Sequence, residues 1–446
     1  MTLQDIGAAL LEAARRAGAD SADAMAVHGT SMSVDIRQGR LEQAERAEGT
    51  DIGLRVFIGR QQAVVSASDT RPATLTAMAE RAVAMAREAP EDPHAGLADP
   101  DQLSLIRDAD ALALVDSLGE PAPAALMEQA KRAEAAALAV AGVTQAQSAS
   151  ASWGRTEVWL TATNGFAGGY ARTQSALSCT AIAGTGLGME RDYDGDSRTM
   201  AQDLRDAADI GTRAGQRAVE RLGARKPPTG RFPVLFDERI SSSLIGHLLA
   251  ATNGASIARG GSWLRDRLGQ PVLPDDLDLI EDPHRPGVAG SRPFDAEGLP
   301  TQTRAIIAKG VLTGWTLDLA SARKLGMTST ANAARGTSAP PSPSNWNITL
   351  TQGARSRDDL IRDMGAGLLV TSMIGATINP NTGDYSRGAA GFWVENGQLA
   401  YPVNECTVAG ALPDMLRRMI PANDARSWLS RRVPSLLVEG MTLAGA

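Results

Sequence analysis

The side chains in this chain that could hold a metal or attack a carbonyl are its histidines, its cysteines and its clustered carboxylates. There are four histidines, His28, His94, His247 and His284, and two cysteines, Cys179 and Cys406. No histidine has a second one within a turn or two of helix, no H-E-x-x-H occurs, and the cysteines lie far apart. A local zinc site needs ligands at such short spacings, so none is expected. His28 falls at a predicted strand end, His94 in an acidic loop, and His284 in the turn sequence Asp282-Pro-His-Arg-Pro286. Asp192-Tyr-Asp-Gly-Asp196 begins like a calcium loop, but it lacks the glycine at the sixth position and the glutamate at the twelfth. It reads as an acidic turn. Gly184-Thr-Gly-Leu-Gly188 follows a strand, but no Lys-Ser or Lys-Thr closes it as in a phosphate-binding loop, and it reads as a bend. No G-x-S-x-G presents a serine nucleophile. Cys179 and Cys406 both sit in alternating, strand-like segments, where a thiol behaves as a small buried apolar group.

Composition narrows the setting for this chemistry. The chain has 446 residues, 43% hydrophobic and 21% charged, which is soluble globular composition and enough length for two domains. Aromatics are 4%, so the core must be built from Ala, Val, Leu and Ile. A net charge of -7 argues against a nucleic-acid partner. The arginines of the segment Arg213–Arg225 are interleaved at helical spacing and read as a solvated helix face. Two distant cysteines fit a reducing compartment. The opening Met-Thr-Leu-Gln-Asp-Ile-Gly does not look like a signal peptide, and no run of about 18 apolar residues suggests a membrane span. A cytoplasmic protein is expected.

Two domains are expected, residues 1–226 and 227–446. In the first, apolar residues at helical spacing predict a helix over Leu3–Ala17. Ser31–Arg37, Gly53–Ile58 and Gln62–Ala67 alternate as strands, and a helix follows over about Pro72–Arg87. The pattern then recurs: a helix over Pro123–Val140, strands Gln145–Trp153, Thr156–Thr163 and Gly168–Ile182, and a helix over about Asp203–Leu222. Two related halves, each helix, strand meander, helix, are implied. Arg225-Lys-Pro-Pro-Thr-Gly230 stops the last helix and marks the boundary.

The second domain opens with strand Phe232–Phe236 and a helix from about Glu238 to Ala251. Strand signals recur at Leu277–Ile280, Thr303–Ile307, Trp346–Leu350 and Leu368–Met373. A hairpin is expected over Gly391–Val394 and Gln398–Val403, turning at Asn396-Gly397. Many strands with few helices between them point to an α+β chain whose C-terminal domain is mainly antiparallel sheet or a partly closed barrel.

Several segments in order carry a resemblance. They are Gly53-Leu-Arg-Val-Phe57, Leu222-Gly-Ala-Arg-Lys226, Arg231-Phe-Pro-Val-Leu-Phe236, Ser241-Ser-Ser-Leu-Ile-Gly-His247 and Ser291-Arg-Pro-Phe-Asp-Ala-Glu-Gly298. Lys324-Leu-Gly-Met-Thr-Ser-Thr-Ala-Asn332, Asn381-Thr-Gly-Asp-Tyr-Ser386 and Phe392-Trp-Val-Glu-Asn-Gly397 complete the set. Together they resemble the TldD/PmbA family, also called the modulator-of-DNA-gyrase family, over nearly the whole chain. The resemblance implies a pair of branches. The TldD branch carries H-E-x-x-x-H and a third zinc ligand, a cysteine nearer the C-terminus. The TldE (PmbA) branch lacks them. The pair cuts small, unfolded or extended peptides in a closed cavity.

Here Ser242 stands where the first histidine would be, Ser243 where the general-base glutamate would be, and only His247 matches. The third-ligand region, Asn423–Ser435, contains no cysteine. The chain therefore resembles the TldE branch. That implies a subunit with no metal or cofactor of its own and no catalytic residues, which joins a zinc-bearing TldD-type metallopeptidase partner. Extended peptide substrates could be held by strand addition. The polar, turn-rich stretch Asn379–Gly388 is the candidate surface facing peptide or partner, with Asn379, Asp384, Tyr385, Ser386 and Arg387 as its residues. The alternative is a stand-alone peptide- or protein-binding homodimer without peptidase activity. A stand-alone serine or cysteine hydrolase has the least support. No membrane partner is expected.

Overall fold

The computed structural model describes residues 1–445, apart from the side chains of Ala376 and Thr377. The N-terminal part is one six-stranded antiparallel sheet with four helices on one face. Helix α1 (Leu3–Ala17) starts at a capping box in which Thr2 and Asp5 satisfy each other's backbone amides. Strands β1 (Ser21–Arg37), β2 (Arg40–Ile58) and β3 (Gln61–Ala67) form a meander, and α2 (Pro72–Glu88) follows. Helix α3 (Pro123–Leu138), strands β4 (Val143–Ala162), β5 (Ala167–Ala183) and β6 (Glu190–Arg198), and helix α4 (Ala207–Glu220) repeat the pattern. The strand order β3-β2-β1-β4-β5-β6 places the halves either side of the antiparallel β1–β4 pair. The internal repeat is thus a repeat of topology.

The strands are longer than alternation predicts. Thr156–Thr163 and Gln145–Trp153 are one continuous strand, β4. In β2 the residues from Arg40 to Gly49 are all exposed, so no apolar period marks them, and their pairing with β1 alone makes them strand. Along β1, Ala22, Ala24 and Ala26 pack under α1 and α2, and Met32, Val34 and Ile36 pack under α3 and α4. Small side chains let the helices sit close. At Gly211 of α4 an added Cβ would lie 1.9 Å from the Ala133 carbonyl oxygen of α3.

The C-terminal part begins with β7 (Gly230–Phe236), α5 (Glu238–Ala251) and α6 (Gly254–Ala258). A second sheet contains β8 (Leu279–Glu281), β9 (Arg304–Ala308) and β10 (Val311–Leu312). Helix α7 (Leu319–Leu325), the short pair β11 (Ala333–Ala334) and β12 (Ser342–Pro343), strand β13 (Ile348–Leu350) and helix α8 (Arg357–Met364) follow. The long strands β14 (Gly367–Ile378), β15 (Asp384–Glu395) and β16 (Gln398–Ala411) come next. The chain ends with α9 (Leu412–Arg417), β17 (Met419–Pro421), β18 (Arg431–Arg432) and β19 (Leu436–Ala444).

The barrel is closed. Strands run β16-β15-β14-β7-β19, and β19 pairs back onto β16. All pairs are antiparallel except β14–β7. Closure removes the exposed edges that an open sheet would present. Val234, Phe236, Leu368 and Val370 share one core with Leu244, Ile245 and Leu248 of α5, so that helix is fixed directly on the barrel strands. Among the described residues no helix is long and apolar enough to cross a membrane.

Candidate functional site

Helix α5 carries the Ser242, Ser243 and His247 segment. Its N-cap Asp237 accepts from the Arg239 amide at 3.2 Å, and Ser241, Leu244, Ile245 and Leu248 are its buried face. Ser242, Ser243, Gly246 and His247 fall on the half-buried face. The Ser243 hydroxyl donates back to the Ile240 carbonyl at 2.7 Å, an internal bond that turns it away from any ligand.

His247 meets Tyr385 of β15, ring edge to ring face, with centroids 5.9 Å apart. The structure thus joins two segments that the sequence offers separately. Tyr385 is buried, and its hydroxyl has the Met373 sulfur at 3.7 Å. Burial pushes the phenol up to about 12 against the opposing pull of Arg387. The Nε2 atom of His247 is buried and has no hydrogen-bond partner. Burial first, and then the Arg387 guanidinium, lower the histidine pKa, so the neutral ring is favoured. Arg387 itself is held by a bond from its Nε to the Gly375 carbonyl at 2.6 Å.

The other members of the candidate surface do different work. Asn379 Oδ1 accepts from the Asn381 amide at 3.0 Å, and the Asp384 carboxylate accepts from the Thr382 hydroxyl at 2.6 Å. Gly383, at φ +79°, donates to the Asn379 carbonyl at 2.8 Å. Asn379 and Asp384 therefore close the turn between β14 and β15. Ser386 lies in the β15 ladder opposite Ala409. Of the five residues, Tyr385 packs on α5 and Arg387 acts on it through its charge.

The segment that resemblance matches to the third ligand does come to α5, and it brings cations. Arg426 Nε donates to Glu238 at 2.7 Å. Arg431 lies against Gly246, where an added Cβ would be 3.1 Å from its Nη1. Asp424 is engaged with Ser435, accepting from its amide and its hydroxyl at 2.7 Å each. A divalent ion here would have one imidazole and the Ser242 hydroxyl to bind, with the positive charges of Arg387 and Arg431 nearby. This donor set does not fit zinc, which needs several histidine, thiolate or carboxylate ligands. Among the described residues, no three such groups gather anywhere else either.

Both thiols are unsuited to nucleophilic work. Cys406 donates to the Ala389 carbonyl at 3.2 Å, and burial pushes it up to about 11. Burial, with Glu134 and Asp194, pushes Cys179 up to about 12.

Two expectations need correction. Asp192–Asp196 is not an acidic turn but part of β6, with Asp192, Asp194 and Asp196 buried on one face. Nor is the arginine-rich segment from Arg213 simply solvated: Arg217 and Arg221 are largely buried as counter-ions to those carboxylates. Asp194 holds Arg205 at 2.5 Å and Arg217 at 2.7 Å, and Asp196 holds Arg198 at 2.9 Å. Asp192 reaches Arg239 of α5 at 3.0 Å. This cluster ties the base of α5 to the N-terminal sheet. Its signal in the sequence is the alternation of three aspartates at i, i+2 and i+4, which is strand spacing.

Comparison with known proteins gives this geometry its family. Models of the PmbA/TldA metallopeptidase match as domain 1 over residues 22–86, the central domain over 116–222 and the C-terminal domain over 229–445. The chain belongs to the PmbA/TldD family. The metalloprotease PmbA of Escherichia coli O157:H7 is 36% identical over 428 residues, 96% of this chain and 92% of that one. A gyrase-modulator-type protein of Bacteroides thetaiotaomicron has a crystal structure that superposes with a TM-score of 0.91 at 26% identity, covering 99% of this chain and 98% of the other. TldE from Thermococcus kodakarensis shares the fold with a TM-score of 0.86 at 19% identity, covering 98% of this chain and 99% of its own. Within this metallopeptidase family, α5 is the helix that carries Ser242, Ser243 and His247.

Proposed function

We propose that this chain is the non-catalytic, TldE-type subunit of a TldD/TldE metallopeptidase complex in the cytoplasm. In this reading a TldD-type partner carries the zinc, and the pair degrades or processes small unfolded or extended peptides. The observation that carries the reading is the cationic, ligand-poor face of α5. Serines occupy two of the motif positions, the charge of Arg387 acts on the remaining histidine, and Arg431 lies against the neighbouring Gly246. A site with that charge disfavours a dication, so peptide hydrolysis is assigned to another chain. This chain's contribution is to close the cavity and to support the partner's site, with the Tyr385 and Arg387 face as the surface nearest α5.

The test is reconstitution. The purified chain and a TldD-type chain from the same genome are assayed for cleavage of an unfolded peptide, separately and mixed, together with gel filtration of each sample. The expected result is no cleavage by this chain alone, co-elution of the two, and cleavage in the mixture. Chelator-sensitive cleavage by this chain alone would overturn the reading. An inactive mixture in which this chain elutes as its own dimer would replace it with a stand-alone binding protein.

A further inference from the structure

A cavity of about 470 Å³ opens between the second face of the N-terminal sheet and helices α6 and α7, within the size range of small-ligand sites. Its walls are small and apolar, with Ala95, Ala255, Ala258 and Ala320 among them, and the Pro-Pro-Ser-Pro segment 340–343 forms one side. That segment is pinned. Asn253 Nδ2 donates to the Pro343 carbonyl at 2.9 Å. Just before it, the Thr337 backbone lies so close on Gly53 of β2 that an added Cβ would be 2.1 Å from the Thr337 carbonyl oxygen. The cavity is therefore built into the fold.

Two carboxylates on its wall keep an oxygen free. Glu297 is 9% exposed and Asp318 is 3% exposed. Glu297 Oε2 accepts from the Leu319 amide at 2.9 Å, and Asp318 Oδ1 accepts from the Ser321 amide at 2.8 Å, so the two groups meet at the start of α7. Among the described residues, neither Glu297 Oε1 nor Asp318 Oδ2 has a hydrogen-bond partner, and neither is sealed from solvent. Both open on the cavity. Charge behind this wall is out of balance. The buried acids are Asp23, Asp295, Glu297 and Asp318. The guanidiniums among them are Arg55 and Arg335, both on Asp23, and Arg292, which acts on Asp295. Four acids thus stand against three cations. Burial, and then Asp295, raise the Glu297 pKa, so a proton on Glu297 relieves the surplus. An ammonium beside it would do the same in the proton's place. A divalent ion would need a third carboxylate or histidine, and no such group of three gathers among the described residues.

We propose that this cavity binds the α-ammonium group of a short free peptide, with Glu297 and Asp318 as its acceptors. An ammonium presents three N–H donors, and its bonds to carboxylates are charge-assisted. Arg55 lines the same space. Its Nε and Nη2 donate to Asp23, which leaves Nη1 for the first peptide carbonyl. The other charged or titratable groups of the lining are Asp92, His94, Arg259 and Lys324. Arg259 and Lys324 are exposed and have no ion pair among the described residues, so they and Asp92 leave one cation for the carboxylate at the far end of the peptide. The alanine walls restrict the side chains to small ones. The identification of the ligand as a peptide rests on the peptide-processing reading above, whereas the ammonium chemistry does not.

The experiment is calorimetric titration of the full chain at pH 7 with trialanine, with N-acetyl-trialanine and with free alanine. Trialanine is expected to bind. The acetylated peptide, which has no ammonium, is expected to bind at least about tenfold more weakly, since charge-assisted bonds are lost. Free alanine is too short to reach from Glu297 to the exposed cations and is expected to bind more weakly than trialanine. Glu297→Gln keeps the acceptor for Leu319 and removes the charge, and Ala258→Leu narrows the cavity from α6 without touching the acids. Each is expected to weaken trialanine several-fold with an unchanged circular dichroism spectrum. No binding of trialanine, equal binding of its acetylated form, equal binding of free alanine, or unchanged binding in either folded variant would overturn the proposal. Because binding is read on this chain alone and peptidase activity on the mixture, either proposal can fail without the other.

Discussion

His247 sits on α5 as a packed, unpartnered ring. Its ring packs on Tyr385, its Nε2 is unbonded, and both burial and Arg387 disfavour a proton there. The folded chain therefore holds this histidine neutral more strongly than the unfolded chain does. The unfolded state binds the extra proton as the pH falls below the ordinary histidine value of about 6.5, so stability is lost in that direction. Arg387→Gln removes one of the two causes. Nuclear magnetic resonance titration of the His247 ring is expected to give a pKa below that of a free histidine and a higher one in the variant. A pKa at or above the ordinary value would mean that the ring has a counter-ion. The serines at 242 and 243 are legible from the motif they interrupt. Arg387 and Arg431 are not legible as neighbours of the same helix, because barrel closure and the β13–β18 pairing bring them there from far along the chain.

Among the elements, β6 and α5 carry the most consequence. Asp192 compensates Arg239 at 3.0 Å and Arg221 at 3.7 Å, all of them largely buried. Removing one partner of such a group leaves uncompensated buried charge, which costs about 3–5 kcal/mol. Asp192→Ala is expected to lower stability in urea by about 3 kcal/mol on that basis. A loss below about 1 kcal/mol would place the pair with ordinary surface bridges. The helices α1, α2, α3 and α5 are readable from periodicity and from proline or acid at their starts, because an amphipathic helix carries its pattern locally. The long strands are not. The exposed half of β2 has no apolar face, and the inward residues of β6 are aspartates that become core-compatible only beside arginines from α4 and α5. Hydrophobic alternation finds a strand by its apolar face, so a strand buried through ion pairs escapes it.

At the scale of the whole molecule, the second face of the N-terminal sheet is joined to the C-terminal part through buried charge. Asp23 holds Arg55 at 2.8 Å within the sheet and Arg335 at 2.5 Å across the contact. Near them Glu297 accepts from the Leu319 amide at 2.9 Å, and Asp295 accepts from the amides of Glu297, Leu299 and Ala333. Burial, and then the neighbouring Asp295, raise the Glu297 pKa. The fold thus favours the protonated acid, so its contribution to stability is lost as the pH rises from the ordinary glutamate value through the raised one. Glu297→Gln keeps an acceptor for Leu319 and is expected to raise the melting temperature at pH 8 while changing it little near pH 4. An equal shift at both pH values would assign the effect to packing. Assigning hydrolysis to another chain requires that α5 hold no metal. The most direct test is the zinc content of the purified chain after equilibration with zinc and gel filtration. The expected result is no zinc above background, with zinc retained by a TldD-type partner treated in the same way. One tightly held zinc per chain would contradict it, and would require metal ligands beyond His247 and the two serines.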